Sequence, residues 1–155
     1  MKTVVLVEDN VDNTLLIEDI FAFEGVAARL VCFTCAEEAL DYALASPPDL
    51  VLMDIGLPGM CGFEATRRLR SNAATSDVPI WAVTARAMKE DEETARSAGC
   101  NFYITKPFDQ EELGYMVKFV VAAKALADKE RKERIANGYV SRIDRRFEQD
   151  DLFAI

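Results

Sequence analysis

Histidine is absent from all 155 residues. That absence removes a His–Asp nucleophile triad, a histidine metal site and a phosphohistidine carried by this chain itself. An excess of basic residues is also missing. With 18 Lys and Arg against 27 Asp and Glu, the formal net charge is −9, which argues against a surface built to neutralise DNA or RNA phosphates. No apolar run approaches the roughly 20 residues of a membrane-spanning helix. The opening Met1-Lys2-Thr3-Val4-Val5 passes straight into a strand-like run, whereas a signal peptide has a longer apolar segment and a small-residue cleavage site. A cytoplasmic protein is therefore expected, without a membrane or nucleic-acid partner. Neither a G-x-G-x-x-G after the first strand nor a G-x-x-x-x-G-K-[ST] occurs, so a dinucleotide or P-loop nucleotide site is unsupported.

Cysteine is sparse. Cys32, Cys35, Cys61 and Cys100 do not suggest a disulfide framework in a core-rich chain without a secretion signal. Cys32-Phe33-Thr34-Cys35 has the C-x-x-C spacing of a redox pair. Nothing else in the chain supports redox chemistry, and two small hydrophobes near a strand end account for the pattern. A zinc site lacks a second ligand pair at suitable spacing.

What is present suits one domain with a proper core: half of the residues are apolar and 29% charged. Charge is unevenly placed. Residues 1–123 hold 10 Lys/Arg and 20 Asp/Glu, and residues 124–155 hold 8 and 7. The shift divides the chain into a body, 1–123, and an extension, 124–155.

Short apolar runs at 3–7, 27–33, 49–53, 78–83 and 101–105 read as strands. Between and after them lie helical patterns at 11–24, 34–45, 63–71, 88–98 and 108–124. In the first helix Val11, Leu15, Leu16, Asp19/Ile20 and Phe23 fall at helical spacing, with Asn10 as N-cap and Gly25 as the stop. Thr34 and Glu37 have capping-box spacing, and so do Asp109 and Glu112. Five alternating strand–helix units imply an α/β fold with a parallel sheet covered on both faces.

The strand ends carry the chemistry. The first strand ends in Glu8-Asp9, the third in Asp54, the fourth in Thr84 followed by Ala85, and the fifth in Lys106-Pro107. The second ends in nothing comparable. In open α/β sheets ligands bind beyond the carboxyl ends of strands, where the strand order reverses. A 2-1-3-4-5 order places the second strand at an edge, away from such a site. Three converging carboxylates need a cation, and an all-oxygen set without histidine or thiolate suits Mg²⁺. A lysine and a hydroxyl complement phosphoryl oxygens, and a carboxylate among them can act as a nucleophile towards phosphorus.

These stretches, "VLVEDN", "DLVLMDIGLPGMCGFE", "VPIWAVTARA" and "YITKPF", resemble the receiver domain of two-component response regulators, the flavodoxin-like family that includes the chemotaxis regulator. The resemblance spans residues 3–123, with four motifs in order and at the right spacing. It implies that Asp54 is the phosphoacceptor and that Asp9 binds Mg²⁺ directly, Glu8 largely through water and Gly56 through its carbonyl. Thr84 and Lys106 would hold the phosphoryl group, with Ala85 leaving phosphorus accessible. Thr84 and Tyr103 would form the switch, and the Lys106–Pro107 bond would be cis. Gly56 and Arg86 occupy the positions that tune the phosphoryl lifetime.

The implied partners are a sensor histidine kinase or histidine phosphotransfer protein and a downstream protein target. A homodimer could form through 88–98, 101–105, 108–124 or the extension. The extension is too short for an independent core, so a stand-alone regulator is expected, acting as a phosphoacceptor rather than a multiple-turnover enzyme. A charged run at 128–134 interrupts the apolar stripe there. Beyond Gly138, Val140, Ile143 and Phe147 recur at helical spacing, and Leu152, Phe153 and Ile155 end the chain. An aspartyl-phosphate phosphohydrolase is the alternative. It would place a second Asp two residues after the nucleophile, where Gly56 stands.

Overall fold

Strand β1 (Lys2–Val7) is followed by α1 (Val11–Phe23), β2 (Ala28–Phe33), α2 (Ala36–Ala45), β3 (Leu50–Met53), α3 (Gly62–Arg70), β4 (Ile80–Thr84), α4 (Lys89–Ala98), β5 (Phe102–Thr105) and α5 (Gln110–Ala136). The computed structural model describes residues 1–136; the expected helix around Val140, Ile143 and Phe147 and the apolar end at Leu152, Phe153 and Ile155 lie outside them. All five strands are parallel, in the order β2-β1-β3-β4-β5. This is the flavodoxin-like arrangement expected from the sequence.

Strand composition explains the layering. β3 and β4 are buried at every position, as is β1 from Val4 onward, whereas β2 and β5 lie at the edges and are half exposed. Along the central strands alternate residues serve opposite faces. Val5, Val7, Val51, Met53, Ile80 and Ala82 pack under α2, α3 and α4. Val4, Leu6, Leu50, Leu52, Trp81 and Val83 pack under α1 and α5. Right-handed crossovers that run first to β2 and then back past β1 put the helices on these two faces. The reversal opens a crevice between the carboxyl ends of β1 and β3.

Three local expectations are corrected. In α1 the buried residues are Ile17, Ile20 and Phe21, while Val11, Leu15 and Phe23 are 68, 52 and 87% exposed. The helix is apolar almost all round, so periodicity alone does not select its inner face. Packing against α5 does: a Cβ on Gly114 would lie 3.1 Å from Ile20 Cγ2 and 2.4 Å from Glu24 Cγ.

The second correction concerns the start of α2. Its N-cap is Cys35, without a side-chain cap, so Thr34 lies outside the helix and Glu37 is its second residue, one short of the third position that a capping box uses. Glu37 instead accepts the Met60 N–H at 2.9 Å.

The third concerns the length of α5. Asp109 caps it as expected, accepting the Glu112 N–H at 2.8 Å, but the helix continues past Lys124 to Ala136. From Ala122 to Ala136 every residue is Ala, Lys, Leu, Asp, Glu, Arg or Ile, mostly strong helix formers with no Gly or Pro.

The amino end of the sheet is cross-tied. Lys2 Nζ donates to Asp49 Oδ1 at 2.9 Å and also to Asp128 on α5, and Asp49 Oδ2 accepts the Thr3 N–H at 2.8 Å. Arg70, ending α3, donates to the carbonyls of Gly99, Ser76 and Val78 and to Asn101 Oδ1 at 2.7–2.9 Å. Asn101 Oδ1 also accepts the Ile80 N–H at 2.8 Å. These bonds fasten the starts of β4 and β5 to α3.

Candidate functional site

The register Val7↔Met53 sets β1 and β3 side by side at their carboxyl ends, so the residues that follow them become neighbours. Glu8 and Asp54 are 3 and 9% exposed, and Asp9 beside them is exposed. One carboxylate oxygen from each of Glu8, Asp9 and Asp54 lies within 4.8 Å of the others. Each buried acid is held by backbone as well: Glu8 Oε1 accepts the Asn10 N–H at 3.0 Å, and Asp54 Oδ1 accepts the Gly56 N–H at 2.9 Å.

Lys106, delivered by β5, reaches across both. Its Nζ donates to Glu8 Oε2 at 2.5 Å and to Asp54 Oδ2 at 3.1 Å. Burial opposes the ammonium charge, but the bonds from Glu8 and Asp54 outweigh it and the Lys106 pKa is raised. One ammonium does not neutralise three carboxylates. The oxygen-only donor set therefore fits a hard divalent cation such as Mg²⁺. The Lys106–Pro107 peptide bond is cis.

Thr84 ends β4 and is 1% exposed. Its carbonyl accepts the Lys106 N–H at 2.8 Å, tying the two strand ends together. Its hydroxyl accepts the Arg86 N–H at a long 3.3 Å. Ala85 and Arg86 are exposed. The Arg86 guanidinium is not brought to the acidic cluster; it lies 3.5 Å from Asp91 on α4. Tyr103 donates its hydroxyl hydrogen to the Arg86 carbonyl at 2.6 Å. Burial, reinforced by Asp91, pushes the Tyr103 phenol up, so it stays a neutral donor.

Sequence reasoning gave no role in the site to two residues that shape it. A Cβ on Gly62 would lie 2.4 Å from the Asp54 carbonyl oxygen and 2.9 Å from Ile55 Cα. Only glycine lets α3 begin against the backbone of the acid. Glu37 holds the same loop from the other side through Met60. The glycines at 56, 59 and 62 were the available signal; the Glu37 contact spans 23 positions and had none. A Cβ on Gly56, by contrast, would meet only Asp54 Oδ1, at 3.7 Å.

Residues 4–118 match the family model of the response regulator receiver domain. The polar-differentiation response regulator DivK of Brucella ovis is 43% identical over 106 residues, covering 68% of this chain and 85% of the relative. The receiver domain of a sensor histidine kinase from Pseudomonas aeruginosa PAO1, solved with a magnesium ion coordinated in its active-site cleft, superposes with a TM-score of 0.70 at 34% identity, covering 78% of this chain and 98% of that one. The chemotaxis protein CheY4 of Vibrio cholerae shares the fold with a TM-score of 0.69 at 22% identity, covering 77% and 98%. Among the described residues no helix is long and apolar enough to cross a membrane.

Proposed function

The chain belongs to the response regulator receiver domain family, and on that premise we propose that Asp54 accepts a phosphoryl group from the phosphohistidine of a sensor kinase or histidine phosphotransfer protein. The observation that carries this reading is the pairing of buried Asp54 with Lys106 inside an acidic cluster at the point of strand reversal. The Asp54 carboxylate attacks phosphorus, the phosphorus–nitrogen bond of the donor breaks, and its electron pair leaves with the donor imidazole. Lys106 follows the charge onto the phosphoryl oxygens, and Thr84 donates its hydroxyl hydrogen to one of them. Ala85 leaves the approach to phosphorus open.

Mg²⁺ would be held by Asp9, Asp54 and the Gly56 carbonyl, with Glu8 acting through water. When bound it offsets the negative charge of the cluster and of the incoming phosphoryl group.

Signalling follows from the same contacts. If Thr84 turns inward, Tyr103 can move into the space it leaves and the α4–β5–α5 surface changes for a downstream protein. Moving such a switch from about 1% to 99% active takes roughly 5.5 kcal/mol. New charge-assisted hydrogen bonds at Lys106 and Thr84, each about 1.5–3 kcal/mol, cover most of that. Gly56 carries no side chain to orient an attacking water, so self-dephosphorylation is slow. Arg86 would act on the phosphoryl group only after leaving Asp91. Residues 1–123 form the receiver unit in this reading and 124–155 an extension of it, and the protein works in the cytoplasm as a phosphoacceptor. The phosphohydrolase alternative lacks its second acid at Gly56.

Incubation with Mg²⁺ and acetyl phosphate should add one phosphoryl group by mass spectrometry, and Asp54→Ala should abolish it. Addition that persists in Asp54→Ala overturns the assignment.

A further inference from the structure

Helix α5 carries a second apolar stripe, on the side opposite the one that packs on the sheet. Leu113, Val117, Val120 and Val121 are buried. Tyr115, Phe119 and Leu126 are instead 69, 53 and 59% exposed, and Ala122 between them is exposed too. The spacing of these four is four, three and four, the 3.5-residue period that keeps a seam on one side of a helix. Three residues before Tyr115 the same seam carries Glu112, and three after Leu126 it carries Lys129, both exposed. Glu112 and Lys129 are therefore about 25 Å apart, and Lys129 Nζ lies 4.0 Å from Glu133 Oε1 one turn further on, a loose exposed pair that leaves it free to exchange partners.

We propose that this seam is covered by the same seam of a second copy of the chain, with the two α5 helices antiparallel. Antiparallel pairing sets Phe119 against Ala122 of the second copy, large against small, and Tyr115 against Leu126. At each end Glu112 then meets Lys129 of the second copy, with Glu111 beside Lys132. A two-fold axis repeats every pair. Parallel pairing would put Glu112 against Glu112 and Lys129 against Lys129, and like charges in contact destabilise such a pair. The stripe is thus complementary to itself reversed, and this charge order selects both the occupant and its direction. The contact is formed by the extended α5 and does not depend on which residue accepts phosphate.

Sedimentation velocity of the full chain across micromolar to millimolar concentrations tests it. A monomer–dimer equilibrium is expected. Phe119→Glu should weaken it about 10-fold or more. Glu112→Lys should weaken it about 3- to 10-fold, and adding Lys129→Glu to that variant should restore it. All three positions are exposed, and far-UV circular dichroism confirms that each variant keeps its helices. A chain that stays monomeric throughout overturns the proposal, whether the stripe is bare or fits another protein. So does a dimer insensitive to Phe119→Glu, which would use a different surface. So does a Glu112→Lys variant that dimerises as the parent does, or a double variant that is no stronger than the single one.

Discussion

At each end of the β1–β3 pair a lysine stands between two carboxylates. Lys2 bridges Asp49 and Asp128 at the amino end, and Lys106 bridges Glu8 and Asp54 at the carboxyl end. The two ammonium groups are about equally covered, with side chains 15 and 14% exposed, but their acids are not: 22 and 56% for Asp49 and Asp128, against 3 and 11% for Glu8 and Asp54. The carboxyl end also has a third acid, Asp9. A lysine–carboxylate pair is therefore no marker of a site in itself. What distinguishes the carboxyl end is unbalanced charge on buried acids, at the side of the sheet where the strand order opens a crevice.

The sharpest way to break the comparison is to delete one acid from each end. Asp54→Ala should remove all acetyl-phosphate-dependent mass gain, while Asp49→Ala should keep it, by intact-protein mass spectrometry. Deleting the lysines should separate the ends next. Lys106→Met leaves two nearly buried carboxylates facing each other and should cost about 3 kcal/mol in urea unfolding without divalent ions. Millimolar Mg²⁺ should recover part of that loss.

Gly62→Ala drives a methyl group into the Asp54 carbonyl and should cost about 2 kcal/mol. It should also slow phosphorylation, and the amino end offers no equivalent. Gly56→Asn has room for its side chain. Together with Arg86→Glu it should speed loss of the phosphoryl group by about tenfold, or about 1.4 kcal/mol of barrier, followed by mass spectrometry after the donor is removed.

The smallest effect belongs to Lys2→Met, about 0–1 kcal/mol, because Asp128 is largely solvated. Burial opposes the Lys2 charge, but its bonds to Asp128 and Asp49 prevail and its pKa is raised. The hydrogen bond from Lys2 lowers that of Asp128. The Lys2 contribution is therefore complete below about pH 10.4 and lost as pH rises through the raised value. The Asp128 contribution is present above about pH 3.9 and lost as pH falls through the lowered one. Unfolding curves of parent and variant should differ by a constant small amount between these limits and converge outside them.

The strand ends were legible in the sequence because a polar residue at the tip of a dry run has few physical explanations. Asp54 after Leu50–Met53 and Thr84 after Ile80–Val83 stand out on that ground. The inner face of α1 was not legible, since Leu15, Leu16, Ile17, Ile20, Phe21 and Phe23 surround the helix and the choice among them is made by α5. Glu37 misled because its spacing from Thr34 fits a local cap, while its actual partner, Met60, is close only after folding. The continuation of α5 past Lys124 was masked by a charge run that ends an apolar stripe without ending a helix.

Arg70 gives the site a mechanical frame. Its hydrogen bonds, with those of Asn101, pin the amino ends of β4 and β5, the two strands whose far ends carry Thr84 and Lys106. A strand clamped at its base and pulled at its tip works as a lever with a fixed fulcrum. A pull on Thr84 and Lys106 would then bend β4 and β5 about their clamped bases and would not slide the whole sheet.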